Sequence, residues 1–242
     1  MQQDHRKDFY EALAKIKELD SYAISRCADG EAAVLKNETV GNKDGWLYKK
    51  NKNLVFRSDL RKSLTSQDKN FVYGISSRNA DEKNYLFLKR FIRQDIRYVT
   101  FSDIWVNANY DAFNDLFLQT LIQTEKNVTF ITNPKAAFTA LKQIINIKEV
   151  IPIKGNCVTY WEKNKKYLKA LLDLKASLNE NEIFLVAAGP LTNIIIYEMW
   201  CINRNNIYLD IGSTLDPIIF NRQSRSYHKP DHPHRKFVDK WE

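Results

Sequence analysis

The chain has 242 residues, 44% hydrophobic and 27% charged, with a formal net charge of +8 at pH 7, a length and balance that allow one domain with a full core. No apolar run reaches the roughly 18 residues of a membrane span, and the opening MQQDHRKDF has no apolar centre of the kind a secretory signal needs, so the expectation is an intracellular, cytoplasmic protein. The three cysteines, Cys27, Cys157 and Cys201, are far apart without a CxxC spacing, which leaves neither a zinc ribbon nor a disulfide framework and favours buried free thiols.

In chain order, residues 7–19 place Phe9, Leu13 and Ile16 on one helical face. A strand over 21–25 runs into Asp29-Gly30-Glu31, and a helical pattern follows through Ala32, Ala33, Val34 and Leu35. Residues 38–53 are polar, with Asn42-Lys43-Asp44-Gly45 as a turn signal, and read as a loop or hairpin insertion. A short helix over 54–64 precedes a strand over 71–75 that ends in Ser76-Ser77-Arg78-Asn79. A helix over about 81–94 carries Tyr85, Leu88 and Ile92 on one face. A short strand over 98–101 leads through Ser102-Asp103 and Asn107 to a helix over about 111–123. The strand 128–131 is followed by Thr132-Asn133-Pro134, which opens a helix over 135–145. A strand over 150–153, a loop with Gly155-Asn156-Cys157, and a long helix over about 161–176 come next. Residues 183–188 are apolar without interruption, the mark of a strand buried on both faces, and Gly189-Pro190 then opens a helix over 191–202. The last strand covers 207–211, and 212–242 lack periodicity while holding three of the four histidines.

Strands of four to six residues alternating with helices argue for an α/β layered fold with a mostly parallel sheet. We read one domain over 1–242: a core over about 20–228, the polar insertion over about 38–53 and an irregular C-terminal tail over 212–242. Ligands bind beyond the carboxyl ends of parallel strands. That edge gathers Asp29 and Glu31, Ser76, Asp103 and Asn107, Asn133, Gly189 and Pro190, and the stretch from Asp210 to Asp216.

Two carboxylates separated by one glycine after a strand suit a hard cation, Mn²⁺ or Mg²⁺, whose remaining positions are filled by phosphate and water. Asp-Gly-Glu is also a common helix start, so position rather than the tripeptide carries the reading. Gly189-Pro190 at a helix start offers N–H groups to phosphate, although proline in a first helical turn is ordinary helix chemistry. Neither GxGxxG nor GxxxxGK[ST] is present, which counts against a dinucleotide fingerprint and a P-loop. His228, His232 and His234 with Asp231 lack zinc spacing and read as a solvated tail. His228 stands apart because Ser224-Arg225-Ser226-Tyr227-His228 could clamp a phosphate. Basic residues cluster at Lys43, Lys49, Lys50, Lys52, Arg57, Arg61 and Lys62 and again over 163–169, compatible with nucleic acid, anionic lipid headgroups, phosphorylated substrates or a solvated lysine-rich face.

The ordered set Arg26-Cys27-Ala28-Asp29-Gly30-Glu31, Gly74-Ile75-Ser76, Thr100-Phe101-Ser102-Asp103 with Asn107, Ala188-Gly189-Pro190-Leu191 and Leu209-Asp210-Ile211-Gly212-Ser213 resembles the bacterial GT-D type glycosyltransferases. The chain departs from that pattern at Cys27-Ala28 and at Ser213, where the family often has histidine. The resemblance implies a three-layer Rossmann-like α/β fold. It also implies transfer of a sugar from a nucleotide-sugar, UDP-linked, to a glycan or lipid-linked glycan acceptor in cell-surface polysaccharide or glycoconjugate synthesis. Asp29 and Glu31 would hold the metal, Ser76, Asn107 and Gly189 would contact the donor, and Arg26 and Arg225 would balance phosphate charge. A base on the acceptor is needed only for inversion. Asp216, Asp103 and His228 are the candidates, with Asp216 first because it follows the last strand. Such an enzyme works in the cytoplasm or at the inner face of the membrane, with peripheral contact to anionic lipid and no nucleic acid partner. The rivals are a non-catalytic basic module for nucleotides or nucleic acid and another Rossmann-like transferase, since fold does not fix function.

Overall fold

The computed structural model describes residues 4–42, 45–92, 95 and 98–241. Lys43-Asp44 of the anticipated turn and the end of the anticipated 81–94 helix lie outside these residues. Seven parallel strands form the central sheet in the order β5-β4-β1-β9-β8-β6-β7. They are β1 (Tyr22–Cys27), β4 (Phe71–Ile75), β5 (Val99–Phe101), β6 (Val128–Thr132), β7 (Ile147–Pro152), β8 (Ile183–Ala187) and β9 (Ile207–Asp210). The anticipated 38–53 insertion holds a two-stranded antiparallel hairpin, β2 (Val40–Gly41) and β3 (Leu47–Tyr48).

Helices cover both faces, as an all-parallel sheet requires. One face carries α2 (Asp29–Leu35), α3 (Leu54–Ser63), α4 (Arg78–Leu88), α7 (Cys157–Ser177) and α8 (Leu191–Ile202) over a core that includes Tyr73, Trp161, Phe184, Ile195 and Tyr208. The other carries α1 (His5–Glu18) and a helical run made of a 3-10 turn at Asn107–Asn109, α5 (Tyr110–Ala112), a π segment at Phe113–Phe117 and α6 (Leu118–Thr124). Its core holds Phe9, Trp105, Phe113, Phe130 and Leu209. The α/β, Rossmann-like architecture expected from alternating strands and helices is the observed one.

The chain leaves β1 toward one face, where α2 packs, and leaves β9 toward the other, where Leu215 and Ile219 of the following segment pack. β1 and β9 are neighbours, so their diverging exits open a crevice at the carboxyl edge, the usual ligand position in such sheets.

Two expectations change. Residues 135–145 are turns with a short 3-10 piece at Leu141–Gln143 rather than a helix. Asn133 folds onto the Lys135 N–H at 3.0 Å, and the Ala137 N–H donates to the Ile219 carbonyl at 2.7 Å, so amides needed for a helix are spent elsewhere. The tail is not simply solvated. It forms α9 (Asp216–Ile219) and 3-10 turns at Ser226–His228 and Pro233–Lys236. Trp241 is buried edge-on against Tyr85 and Phe101, and Ser77 donates to the buried Asp239 at 2.5 Å. His232 and His234 remain at the surface, and no group of three or more metal-ligating side chains occurs among the described residues.

Candidate active site

The crevice is a cleft of about 840 Å³. Its floor begins at the end of β1. Ala28 has no side-chain oxygen with which to cap α2, and Glu31, three residues on, reaches back to accept the Ala28 N–H at 2.9 Å. That bond fixes one carboxylate oxygen of a half-buried Glu31, while Asp29 stays exposed at the lip. Burial raises the Glu31 carboxyl to about 7; the backbone hydrogen bonds oppose the rise and the charges of Asp210 and Asp29 add to it.

Beside this floor lies a buried ion pair. The Arg26 guanidinium donates to Asp210 Oδ1 at 3.2 Å and to the Ser102 carbonyl at 3.1 Å, and the Arg26 backbone N–H donates to Asp210 Oδ2 at 3.1 Å. Burial pushes the Asp210 carboxyl up, against the pull of Arg26. Gly212 holds φ +51°, donates its N–H to Asp210 Oδ1 at 3.0 Å, and is packed so tightly that a Cβ would sit 2.1 Å from Arg26 Nη2. The pair therefore depends on a glycine that can take the left-handed conformation without a side chain.

The opposite wall comes from the hairpin. Trp46 is buried, and its ring lies over two glycines: a Cβ on Gly30 would approach it to 3.1 Å, and one on Gly189, itself at φ +57°, also to 3.1 Å. Cys157 sits beneath Gly189, its thiol pushed up to about 12 by burial. The far rim is built by the segment after β9. Asp216 is buried and accepts from the Ser224 hydroxyl, with Arg222 Nη2 at 3.8 Å. Tyr227 shares a 2.8 Å hydrogen bond with Ser213, and Arg225 completes the rim.

Of the residues singled out from sequence, Arg26, Asp29, Glu31, Gly189, Pro190, Asp216 and Arg225 line this one cleft, although they span nearly 200 positions. Ser76, Asp103, Asn107 and His228 do not line it. Asp103 turns toward α1, 3.2 Å from His5 Nε2, and its other oxygen accepts from Asn107 at 2.8 Å. Ser76 is buried at the end of β4. His228 has both ring nitrogens on backbone groups: Nδ1 accepts from the Arg225 N–H at 3.3 Å, and Nε2 lies 3.1 Å from the Ser213 carbonyl, which can only accept. Those bonds tie the buried ring into the backbone of the rim.

In the turn after β8, Pro190 has no N–H, and the Thr192 N–H donates to the Gly189 carbonyl at 2.9 Å. One amide of this turn is thus partnered within it, and the glycine leaves room beneath Trp46. Trp46 was not anticipated as a site residue. Its signal was a lone tryptophan inside the polar 38–53 stretch. Asp210 was legible only as a carboxylate after the last strand, because its pairing with Arg26 needs the β1–β9 register.

A parallel α/β sheet with a polar cleft at its crossover edge defines a Rossmann-like class of fold with its ligand position at the carboxyl ends of the strands. Two solved structures share the architecture over nearly the whole chain. One is a selenomethionine-substituted structure of the domain of unknown function 1792, with a TM-score of 0.61 and 14% identity, covering 97% of this chain and 89% of that one. Another, with a TM-score of 0.58 and 14% identity over 96% and 89%, is of the same domain, described as highly conserved with a distinct glycosyltransferase fold. No family model and no curated protein matches the chain. The protein has this glycosyltransferase fold, in agreement with its resemblance to the GT-D type.

Proposed function

We propose that the protein is a metal-dependent glycosyltransferase that moves a sugar from a nucleotide-sugar, UDP-linked, to a glycan or lipid-linked glycan hydroxyl in cell-surface glycan synthesis. The observation that carries this reading is the meeting of Asp29, Glu31, Asp216 and Arg225 in a single cleft, in a chain that shares the fold of a domain described as having a distinct glycosyltransferase fold. Whether the donor set suits a metal can be judged from its chemistry. Burial, with the charges of Asp210 and Asp29 adding to it, raises the Glu31 carboxyl, and the arginine beside them, Arg26, is paired with Asp210. The surplus negative charge fits a divalent cation held by Asp29 and Glu31, with phosphate and water completing its shell. Such a cation supplies Lewis-acid stabilisation of the departing nucleoside diphosphate.

The chain's own residues do the rest. Arg225 and Arg222 bring positive charge to the rim where the diphosphate lies. Arg26 holds Asp210 and the β1 end in place rather than meeting phosphate. Gly30 and Gly189 leave the space that Trp46 closes, which excludes water from that wall. Asp216 is the acceptor-side carboxylate and takes the acceptor proton if the product is inverted. Its buried position and its hydrogen bond from Ser224 fix its orientation.

Thermal melting tests the reading. UDP with Mn²⁺ should raise the Tm by several degrees, UDP with a chelator should not, and Asp29→Ala should abolish the shift. Equal stabilisation by all nucleotides without metal would overturn it in favour of a general nucleotide-binding module.

A further inference from the structure

The back of the cleft-wall hairpin carries an unusual surface. Between Trp46, which faces the cleft, and Phe56, which is buried, the chain reads Leu-Tyr-Lys-Lys-Asn-Lys-Asn-Leu-Val. Leu47, Leu54 and Val55 are 37%, 49% and 51% exposed, and Lys49, Lys50 and Lys52 are exposed among them. None of the three lysines joins an ion pair among the described residues. On the same side Lys62 and Lys169 are tied to Glu198 and Lys165 to Asp59, while Lys163 and Lys166 of α7, like Lys49, Lys50 and Lys52, are exposed without an ion pair among the described residues.

The segment is also firmly held. Tyr48 is buried and donates to Asn37 at 2.7 Å, Asn53 donates to Glu162 of α7 at 2.7 Å, and Asn156 donates to the Leu47 carbonyl at 2.8 Å. Its apolar side chains thus stay outside by construction, since every buried neighbour is anchored. Three aliphatic side chains flanked by three lysines match a bilayer interface: the apolar groups enter the headgroup boundary, and the ammonium groups meet anionic headgroups. A soluble acidic glycan would use the lysines and leave the aliphatic groups without a role.

We propose that Leu47–Val55 is a docking surface for an anionic lipid bilayer and sets the cleft, through Trp46, beside the membrane. The proposal is independent of the transferase reading, because vesicle binding needs no turnover.

Co-sedimentation of the full chain with vesicles of phosphatidylglycerol and phosphatidylcholine in equal parts, and with phosphatidylcholine alone, tests it. Binding is expected only to the anionic vesicles and should weaken with salt. Each lysine near such a surface is worth about fivefold in partitioning, so Lys49→Gln, Lys50→Gln and Lys52→Gln together should cost about a hundredfold. Leu54→Asn with Val55→Asn should reduce binding while leaving retention on heparin unchanged. Leu174→Asn with Leu178→Asn, an exposed apolar pair at the C-terminal end of α7 and just past it, should change nothing. Because all these side chains are exposed, unchanged melting shows that each variant is folded. Equal binding to both vesicle types, no binding, or anionic binding indifferent to the Leu54/Val55 change would overturn the proposal; the last result would mean adhesion to any polyanion, nucleic acid included.

Discussion

Glu31 gives the sharpest test of the site's electrostatics. Its folded carboxyl lies at about 7, against an ordinary 4.5. Between those values the native state holds a proton that the unfolded chain has released, so stability falls as pH rises through the window. At ~1.36 kcal/mol per pH unit, the gap between 4.5 and about 7 amounts to about 3 kcal/mol. Glu31→Gln keeps an oxygen to accept the Ala28 N–H but cannot ionise. Urea unfolding of both proteins at pH 5, 6, 7 and 8 isolates the effect, because all other titrating groups are shared. The variant should gain on the wild type by about 2.5 kcal/mol between pH 5 and 8, the rest of the shift lying below pH 5. Mn²⁺ at pH 8 should recover much of the wild-type deficit and do little for the variant, since a ligating carboxylate must be deprotonated. Parallel stability curves for the two proteins would refute the assignment of a carboxyl raised by burial at this position.

Other expectations follow from the same geometry. Arg26→Met leaves Asp210 buried without its partner and should cost about 3–5 kcal/mol in chemical denaturation, most of it recovered when Asp210→Asn is added. Gly212→Ala combines a left-handed backbone with a clash on Arg26 Nη2 and should cost more than the ~1–2 kcal/mol of the backbone alone; a neutral result in the same denaturation would mean that Arg26 can leave Asp210 freely. Trp46→Ala should cost about 3 kcal/mol and also weaken UDP-dependent stabilisation in melting assays; loss of stability without loss of that shift would make the hairpin a structural appendage.

The layers of the fold were readable because period and length speak directly. Residues 183–188 can only be a doubly buried strand, and the 3.6-residue stripe of Phe9, Leu13 and Ile16 can only lie on a helix that packs. Residues 135–145 were misread because their competition is tertiary: the Ala137 amide goes to Ile219, which is 82 positions away and invisible to local pattern. The same limit governs the site. Asp29 and Glu31 were legible from their place after a strand. The withdrawal of Asp103 toward His5 and of His228 into the rim backbone was not, because both depend on which neighbours arrive from distant segments. Trp46 shows the opposite case, a residue whose isolation in polar sequence was itself the signal.

The central claim is that Asp29 and Glu31 make this cleft a metal-dependent site for sugar nucleotides. Release of nucleoside diphosphate from a panel of UDP-, GDP- and TDP-sugars, with and without Mn²⁺ or Mg²⁺, tests it most directly. The account predicts metal-dependent release from a UDP-sugar by the wild type, falling at least a hundredfold in Asp29→Ala and in Glu31→Gln. Undiminished release by both variants, or none from any sugar nucleotide, would contradict it.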